Sequence, residues 1–366
     1  MLLIRNPVCF KHLAAALTVA LLGVADGAAA QRAERYELSG SHVAVYNLAG
    51  RAVIEGGSGS AVVVDVTRGG ADERELSVET GPIRGLETLR VIYPDEELVY
   101  RPAGRGGRVH TSVWVRDDGT FGDNDRRGRG RGRGGRHKIE IRSSGSGLEA
   151  HADLRILVPR GQQFSLYLGA GAVTVRNVDG ELRVDTQVGG VETSGTRGML
   201  IIDTGSGHVS VTDAEGEVDI DTGSGSVSVT GMSGDLLRID TGSGQVTASR
   251  VSVTDLDINT GSGGIDLASS SARNVLLDTG SGSVDADLSG TLDLIEVDTG
   301  SGSVILTLPE SFSARVEIDT GSGRIEVDFP LEIRRWERDH VVGVIGSGTG
   351  KLVVDTGSGN VTVRKG

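Results

Sequence analysis

From residue 143 onward, apolar side chains fall at alternate positions in short runs, and each run stops at a glycine-rich corner. Leu237 and Ile239, or Val316 and Ile318, lead into a corner; Val227 and Val229, or Val304 and Leu306, follow one. The positions between them are Ser, Asp, Glu or Arg. Period-two alternation predicts half-buried β-strands, with one face packed and one wet. The corner itself is the pentapeptide Asp-Thr-Gly-Ser-Gly, beginning at Asp203, Asp221, Asp240, Asp278, Asp298, Asp319 and Asp355, with an Asn variant at Asn259. By the same parity the corner Thr points inward and the Asp outward. Gly-Ser-Gly permits positive φ and lets successive backbones approach closely.

Successive corners are 18, 19, 19, 19, 20, 21 and 36 residues apart, the last spacing reading as two periods. Degenerate copies at Asp185–Gly189 and Tyr167–Gly171 extend the series upstream, and Ser143–Gly147 reads as a further one. A unit this short cannot bury its own apolar face, but stacked equivalent units can. The predicted fold is therefore all-β: a single-stranded parallel β-helix (β-solenoid) of about 18–20 residues per rung, right-handed by the crossover rule. Ten rungs at ~4.8 Å give a rod of roughly 50 Å. A series of antiparallel hairpins is the competing architecture, and the near-constant spacing fits it less well.

Residues 31–116 lack the pentapeptide but keep the alternation at Val43, Val45 and Leu48, at Ala61 to Val66, and at Leu89, Val91 and Tyr93. They read as a β-rich cap on the first rung, with Gly56-Gly57-Ser58-Gly59 as a worn corner. An open edge strand would invite aggregation, and Arg364 and Lys365 read as a charged guard on the last strand. Residues 117–138 read as a disordered insertion, acidic and then Arg/Gly-rich. Residues 139–366 are the solenoid proper.

Composition narrows the compartment. Arg5, Lys11, the apolar run Leu13 to Ala25 and Ala28-Ala29-Ala30 form a signal-peptide pattern, with cleavage before Gln31. That run is too short to span a bilayer, so no transmembrane segment is expected after cleavage. The only cysteine, Cys9, lies inside the signal segment, before the apolar run, which leaves the rest without a disulfide or a cysteine metal site. The chain of 366 residues carries a net charge of −13, and 57 glycines accompany only 3% aromatic residues. The acidic balance argues against nucleic acid as a partner. The protein is expected in the periplasm, on the outer surface or secreted.

Candidate chemistry is sparse. Ile202-Asp203-Thr204-Gly205-Ser206 resembles an aspartic-protease signature, but that chemistry needs two facing Asp that share a proton, and seven copies at one period make a ladder. Carboxylates ~4.8 Å apart repel by roughly 0.9 kcal/mol per neighbour in water. The Asp and Asn259 side chains are expected to accept N–H bonds within their own turns; a row of weak Ca²⁺ sites is the alternative, with no other cofactor or metal implied. Gly346 to Lys351 lacks the spacing of a phosphate loop, and the seven His show no metal-ligand spacing. Arg126, Arg127, Arg129, Arg131, Arg133 and Arg136 read either as a polyanion-binding arm or as a solvated insertion. Trp114 and Trp336 read as core or insertion anchors.

The corner units, Leu157-Val158-Pro159-Arg160-Gly161, Ala172-Val173-Thr174-Val175 through Asp179-Gly180, and Ile345-Gly346-Ser347-Gly348 to Val363 resemble the bacterial "putative adhesin" β-strand-repeat family, an exported domain of unknown function. The resemblance implies a β-solenoid in the cell envelope and brings no catalytic residues. The expectation is a non-enzymatic protein for surface adhesion or envelope scaffolding, with a surface glycan or an envelope protein as partner. The alternatives are a polysaccharide-acting β-helix enzyme and a periplasmic envelope-stress sensor.

Overall fold

A computed structural model describes residues 33–102, 109–122 and 135–366. Among the described residues the chain forms twenty-nine strands and one 3-10 turn. The signal-like segment lies outside them. No described helix is long and apolar enough to cross a membrane.

The alternation becomes two rows of parallel strands that meet at the glycine corner. In one row Asp185, Asp203, Asp221, Asp240, Asn259, Asp278 and Asp298 sit in direct register on successive strands. In the other, Val191, Val209, Val227, Val246, Ile265, Val284 and Val304 do the same. Parallel pairing at one-repeat offset excludes serial hairpins as the general plan. Inward positions such as Val227, Ile239, Ile258 and Leu306 are fully buried and form one continuous core.

The corner explains the motif. A Cβ on the second glycine of a unit would fall on the carbonyl of its counterpart one rung earlier, from Gly171 on Gly50 through Gly263 on Gly244 to Gly302 on Gly282. Only hydrogen fits there. The inward Thr are buried, as at Thr241, Thr260 and Thr279. Later copies tie rungs together: Thr279 Oγ1 donates to the Gly263 carbonyl at 3.0 Å, and Thr299 Oγ1 to that of Gly282 at 3.0 Å.

Both ends depart from simple serial stacking. The last coil, with strands Gly350–Thr356 and Val361–Lys365, lies between the Asp298 and Asp319 coils, so Asp355 neighbours both. The 36-residue spacing is thus not a skipped rung. It holds the strands Leu331–Trp336 and His340–Ile345, an antiparallel hairpin laid on Ala314–Thr320. Val361–Lys365 is consequently interior, and Arg364 and Lys365 guard no edge; Arg364 Nε donates to Thr307 Oγ1 at 2.9 Å.

The N-terminal end is interleaved too. Strand His42–Ala49 pairs with Gln162–Ala170, and Ala52–Gly57 pairs with Val173–Arg176, both in parallel. The corner between them is Gly50, not Gly56–Gly59, which leads from Ala52–Gly57 into the strand Val62–Gly69. Asn47 takes the Thr position, buried, donating to the Ala49 and Ala152 carbonyls and accepting from the Tyr93 hydroxyl. Strands Glu97–Val99, His110–Arg116 and Arg136–Arg142 make a separate small sheet. Ser143–Gly147 follows that sheet and is no corner of the stack, because Gly147 packs on Glu97 instead.

The segment 117–138, expected to be wholly disordered, is ordered at both margins. Asp117–Gly122 folds back onto the stack, with Thr120 and Phe121 buried, and Arg136–Lys138 belong to a strand. Trp114 (56% exposed) and Trp336 (47%) are not core anchors. Each sits on a strand at the margin of its sheet, beyond the reach of the stacked core.

Candidate functional site

The outward column of the corner row changes character along the stack. From the N-terminal end it reads Arg90, Tyr46, Tyr167, Asp185, Asp203, Asp221, Asp240 and Asn259, and onward through Asp278, Asp298 and Asp355 to Asp319. Parallel register is responsible: each strand presents the same position to the same side.

The carboxylates of Asp221 to Asp355 are exposed. Own-turn capping does not account for Asp240, Asp278, Asp298 and Asp355, because the corner N–H groups go to neighbouring rungs. Gly242 N donates to the Thr222 carbonyl and Gly244 N to that of Ser262, both at 3.0 Å. Asp355 shows the repulsion directly: partial burial, then Asp298 and Asp319 on either side, push its carboxyl up. Asp319 ends the column against His340, whose Nδ1 lies 2.6 Å from its Oδ2. Among the described residues, no group of three His, Cys, Asp or Glu side chains is placed to hold a metal ion. Of the arginine arm only Arg136 is described, opposite Arg116 in the small sheet; Arg126, Arg127, Arg129, Arg131 and Arg133 lie outside the described residues.

Where the column turns aromatic, a recess of about 450 Å³ opens between the stack and the cap. Tyr46 and Tyr167 occupy facing positions on adjacent strands, so their rings stack at 4.7 Å, 4° from parallel. Phe121 meets Tyr46 edge-on at 5.7 Å. The loop that brings Phe121 also places Gly122 on Tyr167, where a Cβ would lie 2.5 Å from the ring and 3.4 Å from the Asp185 carboxylate. This cover helps to explain why Asp185 is buried while the members from Asp221 onward are exposed.

Polar groups converge on the same space. Arg84, Arg116, Arg183 and Glu181 line it. Arg84 Nη2 is 3.0 Å from Asp118 Oδ2, and Asp118 accepts from the Thr120 N–H at 3.0 Å and its hydroxyl at 2.6 Å. Burial pushes the Asp118 carboxyl up, but the Thr120 bonds with Arg84 and Arg116 leave it below its ordinary value. His42 Nε2 lies 2.8 Å from Ser165 Oγ. Burial lowers the His42 pKa, with Glu181 acting against it. Burial likewise pushes the Tyr46 hydroxyl up, so it stays protonated and able to donate.

Sequence reasoning missed this recess because its members come from six separate segments. One local signal existed: Tyr167 replaces the corner Asp in an otherwise recognisable unit.

The geometry defines a class first: an all-β repeat protein, a stack of parallel coils with a strand cap at its N-terminal end and an added antiparallel hairpin at the other. The chain belongs to the Toastrack DUF4097 family, which matches it over residues 150–364. The expected "putative adhesin" family is met only at that coarser level, as a β-repeat domain of unknown function. A crystal structure described as a "putative cell adhesion protein" from Clostridium sporogenes is similar over 92% of this chain and 99% of that one, at 7% identity and a TM-score of 0.23. No curated protein shows a significant match.

Proposed function

We propose that this is a non-enzymatic, exported envelope protein, a right-handed parallel β-helix that acts in surface adhesion or envelope scaffolding by gripping a glycan in the recess under its N-terminal cap. The observation that carries this is the convergence of the stacked Tyr46–Tyr167 pair with Arg84, Arg116, Arg183, Glu181 and His42 around one cavity. Sugar rings pack their C–H faces on aromatic surface, while hydroxyl and carboxylate groups take the fixed donors and acceptors beside it. Arginine suits the carboxylates of acidic sugars, since its planar fork binds them through two parallel bonds. Export is supported by the basic start, short apolar run and small-residue site before Gln31.

The test is equilibrium binding of the purified exported chain to a panel of neutral and acidic envelope polysaccharides. Tyr167→Ala and Arg183→Gln are each expected to weaken binding of a recognised acidic glycan by about tenfold or more, with circular dichroism unchanged. Equal binding by both variants, or no binding to any member of the panel, would refute the reading.

A further inference from the structure

The far end of the stack is open in a particular way. Strand Leu331–Trp336 is the outermost of its row: it pairs with His340–Ile345 and with no other described strand. Its partners Ile345, Gly343 and Val341 are buried and face the core side. Leu331, Ile333 and Trp336 stand directly opposite those three, so they extend the inward apolar face one strand past the last rung. No rung covers them there, and Ile333 is 56% exposed and Trp336 47%. A bulge at Arg334 makes this strip continuous. Without the extra residue, strand parity would send Trp336 to the opposite face from Ile333.

We propose that this edge is an interface between two copies of the chain, which pair antiparallel through Leu331–Trp336 about a two-fold axis between Ile333 and Arg334. In that register the outer pairs are complementary, and Arg334, the bulge residue of each copy, stands opposite Ile333 of the other. Leu331 then faces Trp336 of the second copy on the inward side. Glu332 faces Arg335 of the second copy on the outward side. Opposite residues in an antiparallel pair share a face, and opposite charges there attract. Among the described residues Glu332 has no ion-pair partner within its own chain. Arg335 bonds its neighbour Glu337 at 2.7–2.8 Å with both side chains over half exposed, a pair easily exchanged.

The opposite edge of the same row, Ser77–Ile83, contains Pro82 and no exposed large apolar side chain, so the two ends are not alike. A two-fold pair closes on itself, whereas joining unlike ends would grow without limit. The bulge and the paired arginines blunt the edge against indiscriminate strand addition, leaving the register in which each arginine at 335 meets a carboxylate.

The experiment is sedimentation equilibrium on the exported chain, with Glu332→Arg, Arg335→Glu, the combined charge swap, and Ile333→Arg. A contact this small supports a dissociation constant on the order of micromolar. The expected result is a monomer–dimer equilibrium that each single reversal weakens about tenfold or more and the combined swap restores to within about threefold. Ile333→Arg, which sets like charges opposite each other at Arg334 of the second copy, should abolish it. Far-UV circular dichroism checks that each variant is folded. A monomer at all concentrations up to about 100 μM, a dimer indifferent to the single reversals, or oligomers beyond two copies would each overturn the proposal.

Discussion

Two adjacent glycines, Gly263 and Gly264, should respond very differently to the same methyl group. At Gly263 the backbone has φ +159°, and a Cβ would lie 2.6 Å from the Gly244 carbonyl carbon, with its oxygen nearer still. Carbon atoms in contact normally sit about 3.5–4.0 Å apart, so the two rungs must separate locally by about 1 Å. The bonds in the way are the Gly244 N–H to the Ser262 carbonyl at 3.0 Å, Gly263 N–H to that of Ser281 at 3.3 Å, and Thr260 Oγ1 to the Gly244 carbonyl at 3.3 Å. Weakening two or three bonds of about 1 kcal/mol each, with about 1–3 kcal/mol of backbone strain, gives a cost near 3–5 kcal/mol for Gly263→Ala. At Gly264 the nearest atom is the Ser283 carbonyl oxygen at 3.4 Å, ordinary contact, and Gly264→Ala should stay within about 1 kcal/mol of the parent. Urea unfolding followed by circular dichroism supplies the comparison. Because repeat stacks can unfold in parts, hydrogen exchange at the Gly244 and Gly263 amides should show the loss concentrated at that corner. Similar costs for both variants, or a cost below about 1 kcal/mol at Gly263, would refute the close-stacking account of the motif.

Two further outcomes follow from the columns. Thr279 donates to the Gly263 carbonyl, whereas the equally buried Thr222 hydroxyl finds no partner among the described residues; Thr279→Val should therefore destabilise by about 1 kcal/mol and Thr222→Val be neutral or stabilising, as measured by urea midpoints. The Asp355 carboxyl is raised above its unfolded value by burial, Asp298 and Asp319, so its favourable contribution is full at pH below the unfolded value and is lost as pH rises through the folded one. Asp355→Asn should be more stable than the parent at pH 7, with the difference shrinking as pH falls below the ordinary carboxylate range; a gap independent of pH would contradict the ladder.

What the sequence made legible was local. Alternation at Leu237 and Ile239 fixes which face is buried, and Gly-Ser-Gly marks where only hydrogen fits between rungs. Both are properties of one unit and its immediate neighbour. The order of the rungs was not legible, because Asp298, Asp319 and Asp355 head identical pentapeptides. Any of them can stack on any other with the same register, so nothing in the motif says that Asp355 lies between the other two. The first corner was hidden for the opposite reason: Tyr46 to Gly50 shares only the Tyr, the Ala and the final Gly with the unit at Tyr167 and has no Asp-Thr-Gly-Ser, while the more glycine-rich 56–59 links Ala52–Gly57 to Val62–Gly69. The recess was hidden because its parts converge from the cap hairpin, the segment Arg116–Gly122 and four stacked strands.

The interleaving changes how the stack must form. A serial solenoid can add coils from any nucleus, since each rung touches its neighbours in sequence. Here the coil at His42–Gly57 joins the stack only through strands more than a hundred residues later, and the strand His151–Pro159 must pair with both Ala52–Gly57 and Val62–Gly69. The loop entropy of those closures must be met before the contacts form, so the middle coils from Val209 to Thr260, whose pairings are all local, are the natural place for order to begin. The ends then close last. The first coil bonds through Asn47 and Tyr93 to groups that exist only once the cap and the stack have met, and Tyr46 meets Tyr167 at that same junction. The recess is therefore assembled by the step that completes the N-terminal end, which makes its aromatic stack a direct readout of whether the cap has docked.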